Sequence, residues 1–202
     1  MPRVSDAHRE SRRDQILDAA VACFLRRGVR ATTMAEIIAE SRLSAGAIYG
    51  YFPGKQELAL AAMRREAAAR AAELEAMSEG HAIPPSRIVR TVSDAFARRG
   101  AMPSLVVQMW GEAASDPDFE RIATAAFTEL GGLFGTHLTR WAREARGLDP
   151  DAAARWSALM LPVVLALVQG LILQQTLVPG FDRERFLAGV DELFDTKPRP
   201  ER

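Results

Sequence analysis

Between Thr32 and Leu58 the chain reads TTMAEIIAESRLSAGAIYGYFPGKQEL, and the polar groups of these 27 residues suit the binding of phosphate rather than catalysis. Thr33, Ser44, Tyr49 and Tyr51 supply hydroxyls, and Arg42 and Lys55 supply positive charge. Thr33 and Ser44 also mark helix starts, where free backbone N–H groups and the positive end of the helix dipole favour anions. Hydroxyls, a lysine ammonium and helix N-termini are the groups that contact a nucleic-acid backbone. No nucleophile–base pair is present. His8, His81 and His137 have no metal-ligand spacing, and Cys23 sits on a helical apolar face as a small hydrophobe. Neither an enzyme, nor a metal site, nor a cofactor is expected.

Three elements must position these groups. Thr33-x-x-Glu36 is a capping box that starts a helix near Met34. Ser44 caps a short helix through Tyr51, and Pro53-Gly54 breaks the chain before a long helix from Lys55 to about Met77. An earlier helix, about Arg9 to Arg27, carries Ile16, Leu17, Ala20, Phe24 and Leu25 on one face and closes at Gly28. Ile37, Leu43, Ile48, Phe52 and Leu58 complete a small core with Ile16, Leu17 and Phe24. Two short helices joined by a three-residue turn have the dimensions of a helix-turn-helix, whose second helix enters a DNA groove.

Residues 32–58 resemble the DNA-binding domain of the TetR (tetracycline-repressor) family of bacterial regulators. The resemblance rests on Thr32-Thr33, Met34, Glu36 and Ile37, then Leu43, Ser44, Gly46, Ile48, Tyr49 and Tyr51-Phe52, then Lys55, Glu57 and Leu58. With the first helix it covers roughly a quarter of the chain. It implies DNA contacts from Thr33, Ser44, Ala45, Gly46, Ala47, Tyr49, Gly50, Tyr51 and Lys55; Arg42 is a further candidate from its charge alone, with a solvated turn residue an equal alternative. Arg42 stands where the family usually has glycine, Ile38 and Ser41 replace alanines, and Gly54 replaces a serine cap. The recognition segment Ala45–Tyr51 contains no Arg, Lys, Asn or Gln, the side chains that make bidentate base contacts. Base reading is expected to be thin, with part of the specificity carried by DNA shape. Residues 1–58 hold nine basic and seven acidic residues, a net +2, so affinity must lean on helix dipoles, hydroxyls and two-fold doubling.

The remaining composition is that of an ordinary folded protein: 48% hydrophobic, 26% charged, and 26 basic against 26 acidic residues over 202. No global basic field advertises nucleic acid. One cysteine fits a reducing, cytoplasmic setting, and the basic start is followed by no apolar leader. The greasiest run, residues 158–173, is interrupted by Pro162, Gln169 and Gly170 and falls short of the ~20 apolar residues a membrane span needs. It reads as a buried helix.

Helical periodicity continues after residue 80, and no strand pattern is convincing. Pro84-Pro85, Pro103, Asp116-Pro117, Asp149-Pro150 and Asp182 open five further helices. The fold class is all-α. Residues 1–54 form a helix-turn-helix domain, 55–195 a ligand-binding and dimerisation bundle, and 196–202 a flexible tail. The TetR resemblance implies a mainly apolar pocket among the fifth to eighth helices. The lining candidates are Phe96, Met102, Met109, Trp110, Phe127, Phe134, His137 and Met160. Residue by residue, simple core packing is the stronger explanation, for His137 included. Glu112, beside Trp110, is a candidate for holding an amine or hydroxyl. The eighth helix is apolar nearly all round and must be covered on both sides. This predicts a homodimer with Leu167, Gly170, Leu171, Gln174, Phe186, Val190 and Leu193 in the seam. Two-fold pairing sets two recognition helices ~34 Å apart, over a pseudo-palindromic operator in double-stranded DNA. The expected function is a small-molecule-relieved repressor, with no membrane partner. The alternative is a helical protein-interaction module that does not bind DNA.

Overall fold

The computed structural model of the protein describes residues 6–78, 81–98 and 102–194, and among them the chain forms nine α-helices and no strand. They are α1 (Asp6–Ala31), α2 (Met34–Ser41), α3 (Ala45–Tyr49), α4 (Lys55–Ser78), α5 (Pro85–Arg98), α6 (Met102–Ala113), α7 (Pro117–Glu144), α8 (Pro150–Leu177) and α9 (Arg183–Phe194). From α2 onward each helix start lies within a few residues of its proline or capping signal. The expected tail at 196–202 lies outside the described residues, as does the side chain of Met102.

The helices fall into two compact units, with α4, α6 and α7 contributing to both. The first unit holds the described residues of 6–66 and 104–126. Its centre is the small core expected from sequence: Ile16, Leu17, Phe24, Ile37, Ile48, Phe52 and Leu58 are all buried, and Leu43 is half-buried. Gly28 breaks α1 at φ 78, ψ 159, a backbone that glycine adopts without penalty. Residues 29–31 then form one further helical turn. Thr32 is buried there, and its hydroxyl donates to the carbonyl of Gly28 at 2.8 Å.

The second unit holds the described residues of 67–103 and 127–194. Here α5 packs on α8 and α9, and its buried side chains include Ile88, Val89 and Val92. From α8 come Val164, Val168, Leu171 and Ile172, and from α9 Leu187, Val190 and Phe194. Two arginine clusters fasten α9 to α5. Arg90 reaches Asp191 at 2.8 Å and Glu184 at 3.4 Å. Arg183 pairs with Asp94 and donates to the Ser93 hydroxyl at 2.6 Å. The Ser157 hydroxyl joins α8 to the Gly135 carbonyl of α7 at 3.0 Å. A methyl group added at Gly131 or Gly135 would meet only ordinary contact, so close approach does not require either glycine.

The outer side of α8 is apolar and open. Leu159 is 73% exposed, Val163 43%, Leu173 37% and Leu177 64%. Ala166 and Gly170 fill the same stripe at steps of three and four. By length and composition α8 alone among the described helices passes as a membrane span, with a mean hydropathy of 2.1 over its most apolar window.

Candidate nucleic-acid interface

The capping box foreseen at Thr33 is formed. The Thr33 hydroxyl accepts from the Glu36 amide at 3.3 Å, and the Glu36 carboxylate accepts from the Thr33 amide at 2.8 Å. Those bonds from Thr33, first its amide and then its hydroxyl, hold the Glu36 carboxyl below the usual carboxylate range. Arg27 of α1 closes on the same carboxylate, and Arg26 pairs with Glu40 at 2.7 Å. The two acids of α2 are thus neutralised from α1.

The turn is held by Ser41, which is buried. Its hydroxyl donates to the Ile38 carbonyl at 2.9 Å and accepts from the Leu43 amide at 3.3 Å. Its carbonyl accepts from the Gln15 side chain of α1 at 2.8 Å. Arg42 follows as the C-cap of α2 in the left-handed region, φ 58 and ψ 25. Ser44 then caps α3, with its side chain accepting from the Ala47 amide at 3.2 Å.

Within α3 only Ile48 is buried. Ala45, Gly46, Ala47, Tyr49 and Gly50 are exposed, Tyr49 at 51%, and Tyr51 is half-buried. The result is a short helix anchored by one isoleucine, which shows solvent a small-sided surface with a phenol at its end. That outline fits a major groove, and its polar repertoire is the thin one expected from sequence.

Lys55 is half-buried, and its ammonium donates to the carbonyls of Arg30 at 2.7 Å and Thr32 at 2.9 Å. One donor remains for a phosphate. Burial lowers the pKa of this lysine, while Glu112 and Glu36 raise it. Glu112 of α6 also pairs with Arg30 at 3.1 Å. Arg65 of α4 holds α1 through Asp18 at 2.8 Å and Asp14 at 3.5 Å. Gln15, Arg65 and Glu112 therefore brace the interface from outside its motif. Their sequence signal is weak, because each acts through a partner 26 or more residues away.

The ligand candidates divide between the units. In the first, Met109 is buried and borders a cleft of about 560 Å³ with Gly28, Val29 and Glu112, and Trp110 is half-buried. In the second, Phe134 and His137 are buried, and Phe96, Phe127 and Met160 are half-buried. Met160 borders a cleft of about 580 Å³ with Trp141 and Trp156, whose rings lie 5.3 Å apart. The His137 Nδ1 has no hydrogen-bond partner among the described residues, and its Nε2 is 3.8 Å from the Glu75 carboxylate. Burial pushes this imidazole below its ordinary 6.5; Glu75 raises it and Arg140 lowers it. Of the seam candidates, Leu171 and Val190 are buried in their own unit. Leu167, Gly170 and Phe186 are half-buried, and Gln174 and Leu193 are exposed.

Comparison with known proteins agrees with this geometry. Residues 16–62 match the model of the bacterial regulatory proteins of the tetR family. The HTH-type transcriptional regulator YfiR of Bacillus subtilis is 39% identical over 57 residues, which cover 28% of each chain. The HTH-type transcriptional repressor Rv1474c of Mycobacterium tuberculosis is 28% identical over 193 residues, 95% of each chain. The transcriptional regulator FadR of Bacillus subtilis, solved in complex with stearoyl-CoA, superposes with a TM-score of 0.68 at 16% identity, over 91% of this chain and 97% of that one. The fold is shared along the whole chain, and the motif is concentrated in its N-terminal segment. Capped, turned and exposed as described, residues 16–62 match the tetR family of bacterial regulatory proteins, and the chain as a whole is similar to HTH-type transcriptional regulators.

Proposed function

We propose that the protein is a cytoplasmic, homodimeric repressor released from a pseudo-palindromic operator by a small, mainly apolar molecule. The observation that carries this reading is α3 itself: five residues fixed by buried Ile48, with Ala45, Gly46, Ala47 and Tyr49 facing solvent. Ala45 and Ala47 suit thymine methyls, and Gly46 and Gly50 allow close backbone approach. Thr33, Ser44, Tyr49, Tyr51, Lys55 and Arg42 meet the phosphates.

The open stripe on α8 supports the dimer. Leu159, Val163, Leu173 and Leu177 form an apolar face of the kind a second copy covers, with Leu193 of α9 at its side. In that arrangement α8 is the core of an interface rather than a membrane span, and two recognition helices meet the same face of DNA one turn apart. The effector would lie in the second unit. Buried His137, whose Nδ1 has no hydrogen-bond partner among the described residues, supports a ligand that carries a polar group into this unit. Of the stearoyl-CoA bound by FadR, which shares the fold, the acyl chain is apolar, while the coenzyme A part is strongly anionic. Effector binding would shift α4, which belongs to both units, and change the spacing of the recognition helices. The coupling is expected to be ~1–3 kcal/mol and reciprocal.

Fluorescence anisotropy on the DNA upstream of the protein's own gene tests the reading. Sequence-selective, salt-sensitive binding supports it. Absence of binding to any duplex, together with a stable protein partner, would favour an interaction module instead. For the effector, titration calorimetry with and without operator should give different ligand affinities, and equal affinities would refute the coupling.

A further inference from the structure

Residues 32–62 carry two cations, Arg42 and Lys55, against three acids, Glu36, Glu40 and Glu57. By sequence this surface is net negative, yet it is the one that faces a polyanion. Arg27 and Arg26 neutralise Glu36 and Glu40, which removes repulsion without adding attraction. Lys55 is half-buried and gives two of its three donors to the carbonyls that end α1. Arg42 is different. It is exposed and makes no hydrogen bond or ion pair among the described residues. It is also the one non-glycine residue among them with positive φ.

A left-handed backbone is unfavourable for a side chain with a Cβ, and glycine adopts it freely. Such strain persists where something outside local packing selects the residue, and it concentrates at functional sites. The Arg42 side chain returns no hydrogen bond or ion pair among the described residues for that cost. What it does provide is an exposed guanidinium, unpaired among the described residues, in the turn two residues ahead of the Ser44 cap.

We propose that Arg42 is the main phosphate anchor of the helix-turn-helix and that the protein gives up folding stability there to gain DNA affinity. The inference rests on the DNA-binding reading above. Arg42 stands in the turn rather than on α3, so it meets the backbone of the duplex and not the base edges. Its contribution is insensitive to sequence and sensitive to salt.

Melting temperature and operator affinity across a salt series test this with three variants. Arg42→Gly is expected to melt about 2–4 °C higher than wild type. It should bind about tenfold more weakly per half-site, with the slope of log affinity against log salt shallower by about 0.9 per half-site. Arg42→Ala should lose the same affinity without the gain in melting temperature, because its Cβ keeps the strain. Arg42→Lys should keep the salt slope. An Arg42→Gly protein with unchanged affinity and slope overturns the proposal and leaves the DNA-binding reading standing. A loss confined to one operator sequence makes Arg42 a base reader and overturns the phosphate assignment. An Arg42→Gly protein that melts no higher than Arg42→Ala overturns the stability trade. Wild-type protein that binds no duplex overturns both the reading and the inference.

Discussion

The ammonium of Lys55 lies 2.7 Å from the carbonyl oxygen of Arg30, so the first residue of α4 closes the last turn of α1. The same ammonium reaches the Thr32 carbonyl one residue before the α2 cap. One cation thereby ties the ends of three helices, and its charge sits where the orphan carbonyls of a helix C-terminus favour it. Lys55→Met, which keeps the stem and removes the donors, is predicted to lower unfolding free energy by about 1–2 kcal/mol in urea titrations and to weaken operator binding. Unchanged stability would show that water replaces the ammonium at these carbonyls.

Ser41 makes a different kind of support. It is buried, and its hydroxyl answers both the Ile38 carbonyl and the Leu43 amide. Ser41→Ala leaves the Leu43 amide without that acceptor and is predicted to cost about 1 kcal/mol, read from the midpoint of chemical unfolding. Ser41→Gly should cost more, because it also loosens the unfolded chain.

His137 makes stability depend on pH. Its folded pKa lies below the ordinary 6.5, chiefly through burial, so as pH falls the unfolded chain takes up the proton first. The contribution is complete above about pH 6.5 and is lost as pH falls from there toward the folded value. His137→Gln is predicted to flatten the dependence of the unfolding midpoint on pH between about 7 and 5.5. Equal slopes in the two proteins would contradict the assignment.

The motif half of the molecule was legible because its signals are local. Thr33 and Glu36, or Ser44 and Ala47, lie three residues apart, and a three-residue interaction can be read off a sequence. The starts of α2 to α9 followed for the same reason, from prolines and caps. Long-range partners were not legible: nothing near Gln15 announces the Ser41 carbonyl, and nothing near Glu112 announces Arg30. The second unit shows the same limit from the apolar side. Leu171 and Leu177 belong to one unbroken greasy helix, yet one is buried and the other 64% exposed. Only the packing of α5 and α9 against α8 divides them.

That division makes the dimer testable. Val163→Glu or Leu177→Arg puts a charge on the open stripe without entering the protomer's own core. Each is predicted to convert the dimer to monomer in light scattering at micromolar concentration and to reduce operator affinity at least a hundredfold, since half of the DNA contacts are lost. Retained dimers would place the interface elsewhere.

The most direct measurement is a hydroxyl-radical footprint of the wild-type protein on the DNA upstream of its own gene. Two protected patches on one face of the duplex, centred about one helical turn or a small multiple apart, are predicted, and both should fade together as salt is raised. A single patch, or uniform protection indifferent to sequence, would contradict paired recognition helices led by Tyr49 and the small face of α3.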